Sequence, residues 1–402
     1  MTTKIAEFPA QAAWPCGLDY SGDYWGDFAT QAKATTYRAA SYLTDPFCKT
    51  HEYFRRIQIV DVLNPEGDPI CNFARKVILA VGIVIAAALA LITSGPGALL
   101  RGLAANLESE PFIHFHTDQP EKTLPENHTF SLLSWNICCV GGGYAITNGG
   151  VVPWQDRIDR IVDKIIQADA DVNCLYETFD LESAFVIYEK LREKGYSHFY
   201  FNMGARATGV TSGIMIASKY AVKNPEFTPY PVETLIGRVK QSSKGLFTCD
   251  LQSEDQTFAT VISTHLMHSA QSDTPTAEEV ECRRQQMEIV MQKVDRVKDR
   301  CTVVNGDLNL SDDEYARSSW QARFQKGVEF PDTQKTWGGD EFCAALIDDL
   351  SSGPVNLDHT MIVKDTARAI HTTLVETGFD GKVFKEEALS DHAGLLSQIT
   401  VY

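Results

Sequence analysis

Thr302-Val303-Val304-Asn305-Gly306-Asp307-Leu308-Asn309 is a β-branched apolar run that stops at a glycine, a carboxylate and an amide. Residues of this kind suit a buried strand, and the Gly-Asp-Leu-Asn end marks where it stops. Four other runs share the form: Leu132–Asn136 (LLSWN), Val172–Glu177 (VNCLYE), Thr260–His265 (TVISTH) and Leu389–His392 (LSDH). A sixth, Val355–Val363 (VNLDHTMIV), has Asp358 opening its strand. One polar residue at a strand end is ordinarily a turn former or helix cap. Six together can converge on one sheet edge. They are hard-oxygen or imidazole groups without thiolate partners, which suits Mg²⁺, Mn²⁺ or Ca²⁺ better than zinc.

Between these runs the pattern is regular α/β. Ile158, Ile161, Val162, Ile165 and Ile166 form the stripe of an amphipathic helix over 154–168. A helix is expected over 181–194 and a long one over 277–298. Strands are expected at 198–202, 213–218, 245–251, 257–264, 302–305, 359–363 and 393–401. There is no internal repeat and no low-complexity segment.

Towards the N-terminus the composition changes. Val77–Ile92 is an unbroken apolar run, followed by Thr93-Ser94-Gly95-Pro96-Gly97 and then Ala98-Leu99-Leu100. It is near the length of about 20 residues that spans a bilayer core, and it is apolar on every face, so 77–100 is expected to anchor the chain to a membrane. The competing reading is a buried helix, or a hairpin broken at Ser94–Gly97. The basic residues Arg55, Arg56, Arg75 and Lys76 precede the run and Arg101 follows it. If it spans, this bias places the N-terminus in the cytoplasm and the larger C-terminal part across the membrane. Residues 1–76 carry turn signals at Asp45-Pro46-Phe47 and Asn64–Pro69 but no assignable chemistry, and 101–127 reads as a linker. The chain thus divides into 1–76, 77–100, 101–127 and 128–402.

The 402 residues carry 36 basic and 53 acidic side chains, net −17. Ten basic and 14 acidic residues precede position 128, which leaves 26 and 39 after it, net −13. Duplex capture by such a domain needs a concentrated basic strip, and the nearest candidate, 294–300, interleaves Arg296, Lys298 and Arg300 with Asp295 and Asp299. Nucleic acid is therefore the disfavoured partner. Ten cysteines include no C-x-x-C pair and read as reduced, structural thiols. The glycines at 141–143 and 149–150 precede no G-K-[ST], so they form a mobile loop rather than a phosphate loop.

The order Asn136, Glu177, His265, Gly306-Asp307-Leu308-Asn309, Asp358, Ser390-Asp391-His392 resembles the endonuclease/exonuclease/phosphatase superfamily of metal-dependent phosphoesterases, over about 128–402. The resemblance implies a four-layer α/β/β/α sandwich behind an N-terminal extension with a hydrophobic helix. It also implies a Mg²⁺ cofactor, with Mn²⁺ an alternative. Carried over position by position, Glu177 resembles the principal metal ligand, Asn136 an amide near the metal, and Asp391 a residue linked to the metal or its waters. His265 resembles the imidazole that binds the scissile phosphate, and Asp307 with Asn309 the pair that orients water and phosphate. His392 resembles the general base and Asp358 the carboxylate that orients it. The other histidines, at 51, 114, 116, 128, 198, 268, 359 and 371, read as surface or packing.

Within that superfamily the details resemble the neutral sphingomyelinase branch: Glu177-Thr178-Phe179-Asp180, Thr211–Tyr220 with Ser212-Gly213, Lys244-Gly245-Leu246, Thr264-His265-Leu266, and Arg283 with Gln286. Tyr176, Ala221 and His359 depart from the family pattern. The expected activity is hydrolysis of a phosphoric diester, with a phospholipid headgroup as substrate. A nuclease or an inositol-phosphate or phosphoinositide phosphatase of the same fold is the alternative, and a non-catalytic membrane-tethered binding protein a third reading. Oligomeric state is not legible.

Overall fold

The computed structural model describes residues 28–107, 110–206, 209–297, 300–327, 335–338, 353–379, 384 and 386–402. In chain order the helices and strands are α1 (Phe28–Leu63), α2 (Pro69–Ala104), β1 (Ile113–His116), β2 (Thr129–Asn136), α3 (Tyr144–Asn148), α4 (Ile158–Ala168), β3 (Val172–Tyr176), α5 (Leu181–Leu191), β4 (His198–Phe201), β5 (Met215–Ser218), β6 (Ala221–Pro229), β7 (Gly245–Ser253), β8 (Gln256–Thr264), α6 (Ala277–Arg296), β9 (Cys301–Asp307), α7 (Asp312–Arg317), β10 (Phe324–Lys326), β11 (Asp358–Val363), β12 (Ala369–Val375) and β13 (Gly394–Thr400).

The strands form two sheets. One has the order β1-β4-β5-β3-β2-β13-β12 and the other β10-β11-β9-β8-β7-β6. Side chains of a strand alternate between its two faces. In β2, Phe130 and Leu132 meet Val261 and Val303 of the second sheet in an inter-sheet core, while Leu133 and Trp135 face Ile161, Ile165 and Phe185 of α4 and α5. In the second sheet Leu246, Ile262 and Val304 face Met287, Val290 and Val294 of α6. Helices, sheet, sheet and helices therefore stack as an α/β/β/α sandwich.

The topology brings the polar strand ends together. Parallel β2 and β3 end side by side at Asn136 and Tyr176, and parallel β8 and β9 end at Thr264 and Asp307. The antiparallel neighbours supply residues from where they begin: Asp358 of β11 lies opposite Asp307, and β13, which follows Asp391 and His392, pairs with β2. Gly306, with φ 152°, permits the close approach of β9 to β8; a Cβ there would lie 1.8 Å from the Thr264 carbonyl oxygen.

Several elements differ from the sequence reading. Residues 101–127 are not simply a linker: Ile113–His116 pairs antiparallel with β4 and forms the edge of the first sheet. Residues this few carry too little periodicity to register. Strand β6 contains Pro225 beside a register shift between Lys223 and Glu226, which an edge strand tolerates. Strands β10 and β12 are likewise additional. Asp45-Pro46-Phe47 makes no turn, because α1 runs through Pro46. A mid-helix proline costs about 3 kcal/mol, and here α1 is packed between α2 and the sandwich. Helix α2 likewise continues through Ser94-Gly95-Pro96-Gly97. The hairpin lies instead between α1 and α2, where Asp68 caps α2 by accepting the Ile70 N–H at 2.9 Å and Pro69 occupies its first turn. Residues 1–27 lie outside the described residues.

The hairpin is fastened to the sandwich through α1. The Arg38 guanidinium pairs with Glu182 at 2.5 and 3.0 Å, and Arg56 pairs with Asp156 at 2.7 Å. Buried Lys33 donates to the Phe112 carbonyl at 3.2 Å. Helix α2 packs on α1 where Gly97 meets Thr44 and Gly82 meets the Tyr53 ring. Its remaining surface is apolar and exposed, from Ile70, Phe73 and Ile78 through Val84 and Leu91 to Leu99; Leu91 is 90% exposed.

Candidate active site and metal centre

Every described strand end singled out from the sequence contributes to one cleft. At its centre is Asp307, buried at the end of β9. Asn136 donates its side-chain N–H to Asp307 Oδ2 at 3.0 Å. His265 Nε2 lies 3.4 Å and His392 Nε2 3.8 Å from the same oxygen. The other oxygen, Oδ1, accepts the Asn309 backbone N–H at 3.1 Å, a local turn that folds the chain back after β9. Asn309 sits at φ 50° and its amide donates to the Leu266 carbonyl at 3.4 Å, binding the loops after β8 and β9 together.

His392 is held from both sides. Its Nδ1 meets Asp358 Oδ2 at 2.8 Å, its backbone N–H donates to Ser390 Oγ at 3.2 Å, and its carbonyl accepts the Trp135 indole N–H at 3.1 Å. With Nδ1 directed at Asp358, Nε2 is turned towards Asp307 in the cleft. Burial alone would lower the His392 pKa, but the charges of Asp358, Asp307 and Asp391 outweigh it and hold the ring well above its ordinary value. His265 is pushed the opposite way, by burial and by the charge of Lys244. Burial raises Asp358 to about 6, with Asp307 adding repulsion.

Glu177, at φ 59° just past β3, faces the same space; its carboxylate, His265 and Asp307 offer ligand atoms within 4.8 Å of one another. Burial and the neighbouring charges of Asp391 and Asp307 raise Glu177 to about 7. Burial opposes the ionisation of Asp307, but His265, His392, Lys244 and Asn136 more than offset it and keep that carboxyl below its usual value. Three carboxylates converging with one amine nearby is an arrangement that a divalent cation relieves, and oxygen donors of this kind fit Mg²⁺ or Mn²⁺. Glu177, His265 and Asp307 are near enough to one another to hold it, and the charge of Asp391 acts on Glu177 beside them. Asn136 is engaged otherwise: its Oδ1 accepts the Cys138 N–H at 3.0 Å and its amide aligns Asp307.

Four further residues organise the cleft. Lys244 is buried, donates to the Leu266 carbonyl at 2.6 Å, and is lowered to about 8 by burial against the pull of Asp307 and Glu177. It stood in the Lys-Gly step of the sequence without a role, since a lone lysine gives no sign that it is buried. Arg157 has no exposed surface; it donates to the carbonyls of Ile137 and Leu389, at 2.6 and 2.5 Å, and to that of Cys138, so it joins the loops that carry Asn136 and Asp391. Its place at the start of an amphipathic helix concealed it. Arg283 pairs with Glu314 at 2.7 and 2.9 Å and donates to the Met267 carbonyl and Ser269 Oγ, while Gln286 accepts the Met267 N–H at 2.8 Å. That pair braces the loop after His265.

The motif around Glu177 also has a physical basis. Thr178 N–H donates to the Gly213 carbonyl at 2.9 Å, the Phe179 ring covers Gly213, and Asp180 caps α5 while accepting the Trp154 indole N–H at 3.0 Å. Tyr176, the departure beside Glu177, donates its hydroxyl to Asn305 Oδ1 at 2.5 Å. His359 packs on Tyr315 and bonds the Leu310 carbonyl at 2.8 Å. The eight described cysteines are free.

No family model matches the sequence. Among solved structures, the chain is similar to SmcL, with 19% identity, a TM-score of 0.53, and coverage of 68% of this chain and 99% of that one. It is similar to a beta toxin variant from Staphylococcus aureus with bound magnesium ions, at 18% identity and TM-score 0.52, over 67% of this chain and 98% of that one. It is also similar to sphingomyelinase C from Streptomyces griseocarneus, at 18% identity and TM-score 0.51, over 67% of this chain and 99% of that one. These likenesses establish the fold, an α/β/β/α sandwich shared with those structures.

Proposed function

We propose that the chain is a Mg²⁺-dependent phosphodiesterase that hydrolyses a phospholipid headgroup bond. The observation that carries the reading is the buried Asp358–His392 pair, 2.8 Å apart, with His392 Nε2 facing Asp307 beside Glu177. That is a base with its orienting carboxylate set next to a cation site.

Glu177, Asp307 and Asp391 would hold the ion, which supplies charge neutralisation of the anionic diester when bound. His392 Nε2 takes the proton of the attacking water, and Asp358 stabilises the resulting imidazolium through Nδ1–H. Asp307, aligned by Asn136, positions that water. His265 Nε2 and the Asn309 amide are the donors for the phosphoryl oxygens, and the Lys244 ammonium adds positive charge beneath them. These roles divide the work by chemistry: neutral or cationic donors face the phosphate, and carboxylates face the cation and the base.

The lipid assignment rests on α2. Its 36 residues extend about 54 Å at 1.5 Å per residue, more than a bilayer core of about 30 Å, and most of its large apolar side chains are exposed. Because α1 holds α2 alongside the sandwich over their shared length, spanning would draw the Arg38–Glu182 and Arg56–Asp156 pairs into hydrocarbon. The packing favours a helix lying in the membrane interface, with the cleft on the same side as both helices.

A substrate panel tests this. Full-length protein should release a phosphorylated headgroup from sphingomyelin or a related phospholipid in vesicles with Mg²⁺, and His392→Ala should lose at least about a thousandfold in kcat. Turnover confined to nucleic acids or soluble phosphate esters would replace the lipid reading; no turnover of any phosphoester would remove the enzymatic one.

A further inference from the structure

A second cluster of ligating groups lies apart from the cleft, on the β1–β4 edge of the first sheet. His116 and His198 are cross-strand partners, and Glu121 follows β1 in the turn leading away from it. His198 Nε2 is 2.9 Å and His116 Nε2 3.8 Å from the same oxygen, Glu121 Oε1. One ligand atom from each of the three lies within 4.8 Å of the other two. His198 is buried, whereas His116 and Glu121 are about half exposed, at 51% and 44% for their side chains. One fixed imidazole with two accessible donors is an arrangement an ion can enter from solvent.

A fourth residue stands behind them. His114, on the same face of β1 as His116, stacks on Tyr200 at 4.2 Å and places Nε2 3.3 Å from His198 Nδ1. Metal-bound imidazoles characteristically use their second nitrogen to engage such an outer partner, which fixes tautomer and ring direction. Burial, reinforced by its histidine neighbours, lowers His114 to about 3, and burial also lowers His198.

We propose that His116, Glu121 and His198 form a second metal site, with His114 positioning His198, for a borderline divalent cation such as Zn²⁺ or Co²⁺. Two imidazoles and one carboxylate with an open position are a donor set for such ions, distinct from the oxygen-rich set around Glu177. Without metal the chain His114 Nε2–H, His198 Nδ1, His198 Nε2–H, Glu121 gives both His198 nitrogens a partner. With metal on His198 Nε2 the proton of each ring moves to Nδ1, so His198 donates to His114 and no net proton is released. The His116 ring, stacked on His198 at 4.5 Å, turns out of the stack to bring its Nε2 to the ion. The bound ion would tie the 117–121 turn to β4 and so fix the edge strand that follows the helical hairpin.

The test uses full-length protein carrying Glu177→Gln, stripped with chelator and kept in excess Mg²⁺, so that the cleft does not compete. Co²⁺ is titrated and its visible d–d bands followed. One equivalent should bind with the intense bands of a four-coordinate site. His116→Ala with Glu121→Ala, both exposed positions, should abolish that signal, and His114→Ala should weaken binding by about tenfold or more. Co²⁺ bands of unchanged strength and affinity in the double variant would overturn the proposal, as would failure of the parent to bind.

Discussion

At the residue scale, the cleft is defined by opposed perturbations of neighbouring groups. Glu177 is raised to about 7 because burial and two nearby carboxylates disfavour its charge. A proton and a cation therefore compete for it. The half-saturating Mg²⁺ concentration should rise about tenfold per pH unit as pH falls below about 7, read from Mg²⁺ titrations of activity at several pH values. Glu177→Gln should eliminate activity yet raise the metal-free melting temperature, since it removes a repelled charge. His392 carries the opposite sign. Its pKa is held up chiefly by Asp358, and a base works only unprotonated, so activity falls as pH drops through that value. Asp358→Asn removes the largest raising charge; the acid limb should move to lower pH while the plateau falls by about a hundredfold or more, seen in the kcat/KM profile. The cleft residues were legible in the sequence because strand ends announce carboxylates, amides and imidazoles. Lys244 and Arg157 were not, because nothing in a linear pattern marks a cation as buried. The three clustered histidines were read singly, and the β1–β4 register that joins two of them is a long-range property.

At the element scale, helices and strands with strong periodicity were readable, including α4, α6 and the strands whose ends border the cleft. Short or edge elements were not: β1 has four residues and β6 carries Pro225. The turn signal at Pro46 and the competing reading of a break at Ser94–Gly97 fail for one cause, since local signals at Pro46 and Pro96 are overridden by packing in a two-helix hairpin. Helix α6 acts on the site without touching substrate, because Arg283 and Gln286 fix the loop from His265 to Ser269. Arg283→Met leaves Glu314 and the Met267 carbonyl without their donor. It should cost about 3–5 kcal/mol in stability by denaturant unfolding, and lower kcat through the displaced His265 even where the protein remains folded.

At the scale of the whole molecule, an acidic sandwich is joined to an apolar helix held flat against its flank. The acidity disfavours polyanions but not a neutral or zwitterionic lipid surface, which α2 can meet through dispersion and apolar burial alone. Leu91→Asp with Leu99→Asp, both exposed, should abolish co-flotation with phosphatidylcholine and sphingomyelin vesicles while leaving the melting temperature within a degree or two. Protease protection of α2 without protection of any segment on the far side of the vesicle would match an in-plane helix; protection of the whole chain N-terminal to it would indicate spanning.

The contact between α1 and the glycine loop also decides where this chain can be cut. Gly141 approaches Cys48, Gly142 approaches His51 and Gly143 approaches Glu52 and Arg55, while Ile59 and Leu63 cover Ile146 and Val152. The same loop reaches Gly149, which abuts Asp391. Trimming the hairpin to obtain a more soluble fragment would strip the cover from that loop and leave Asp156 and Glu182 without their guanidinium partners. Expression boundaries drawn at residue 105 or 128 would thus yield a protein whose catalytic wall has lost its backing, and inactivity in such a fragment would report on the scissors rather than on the enzyme.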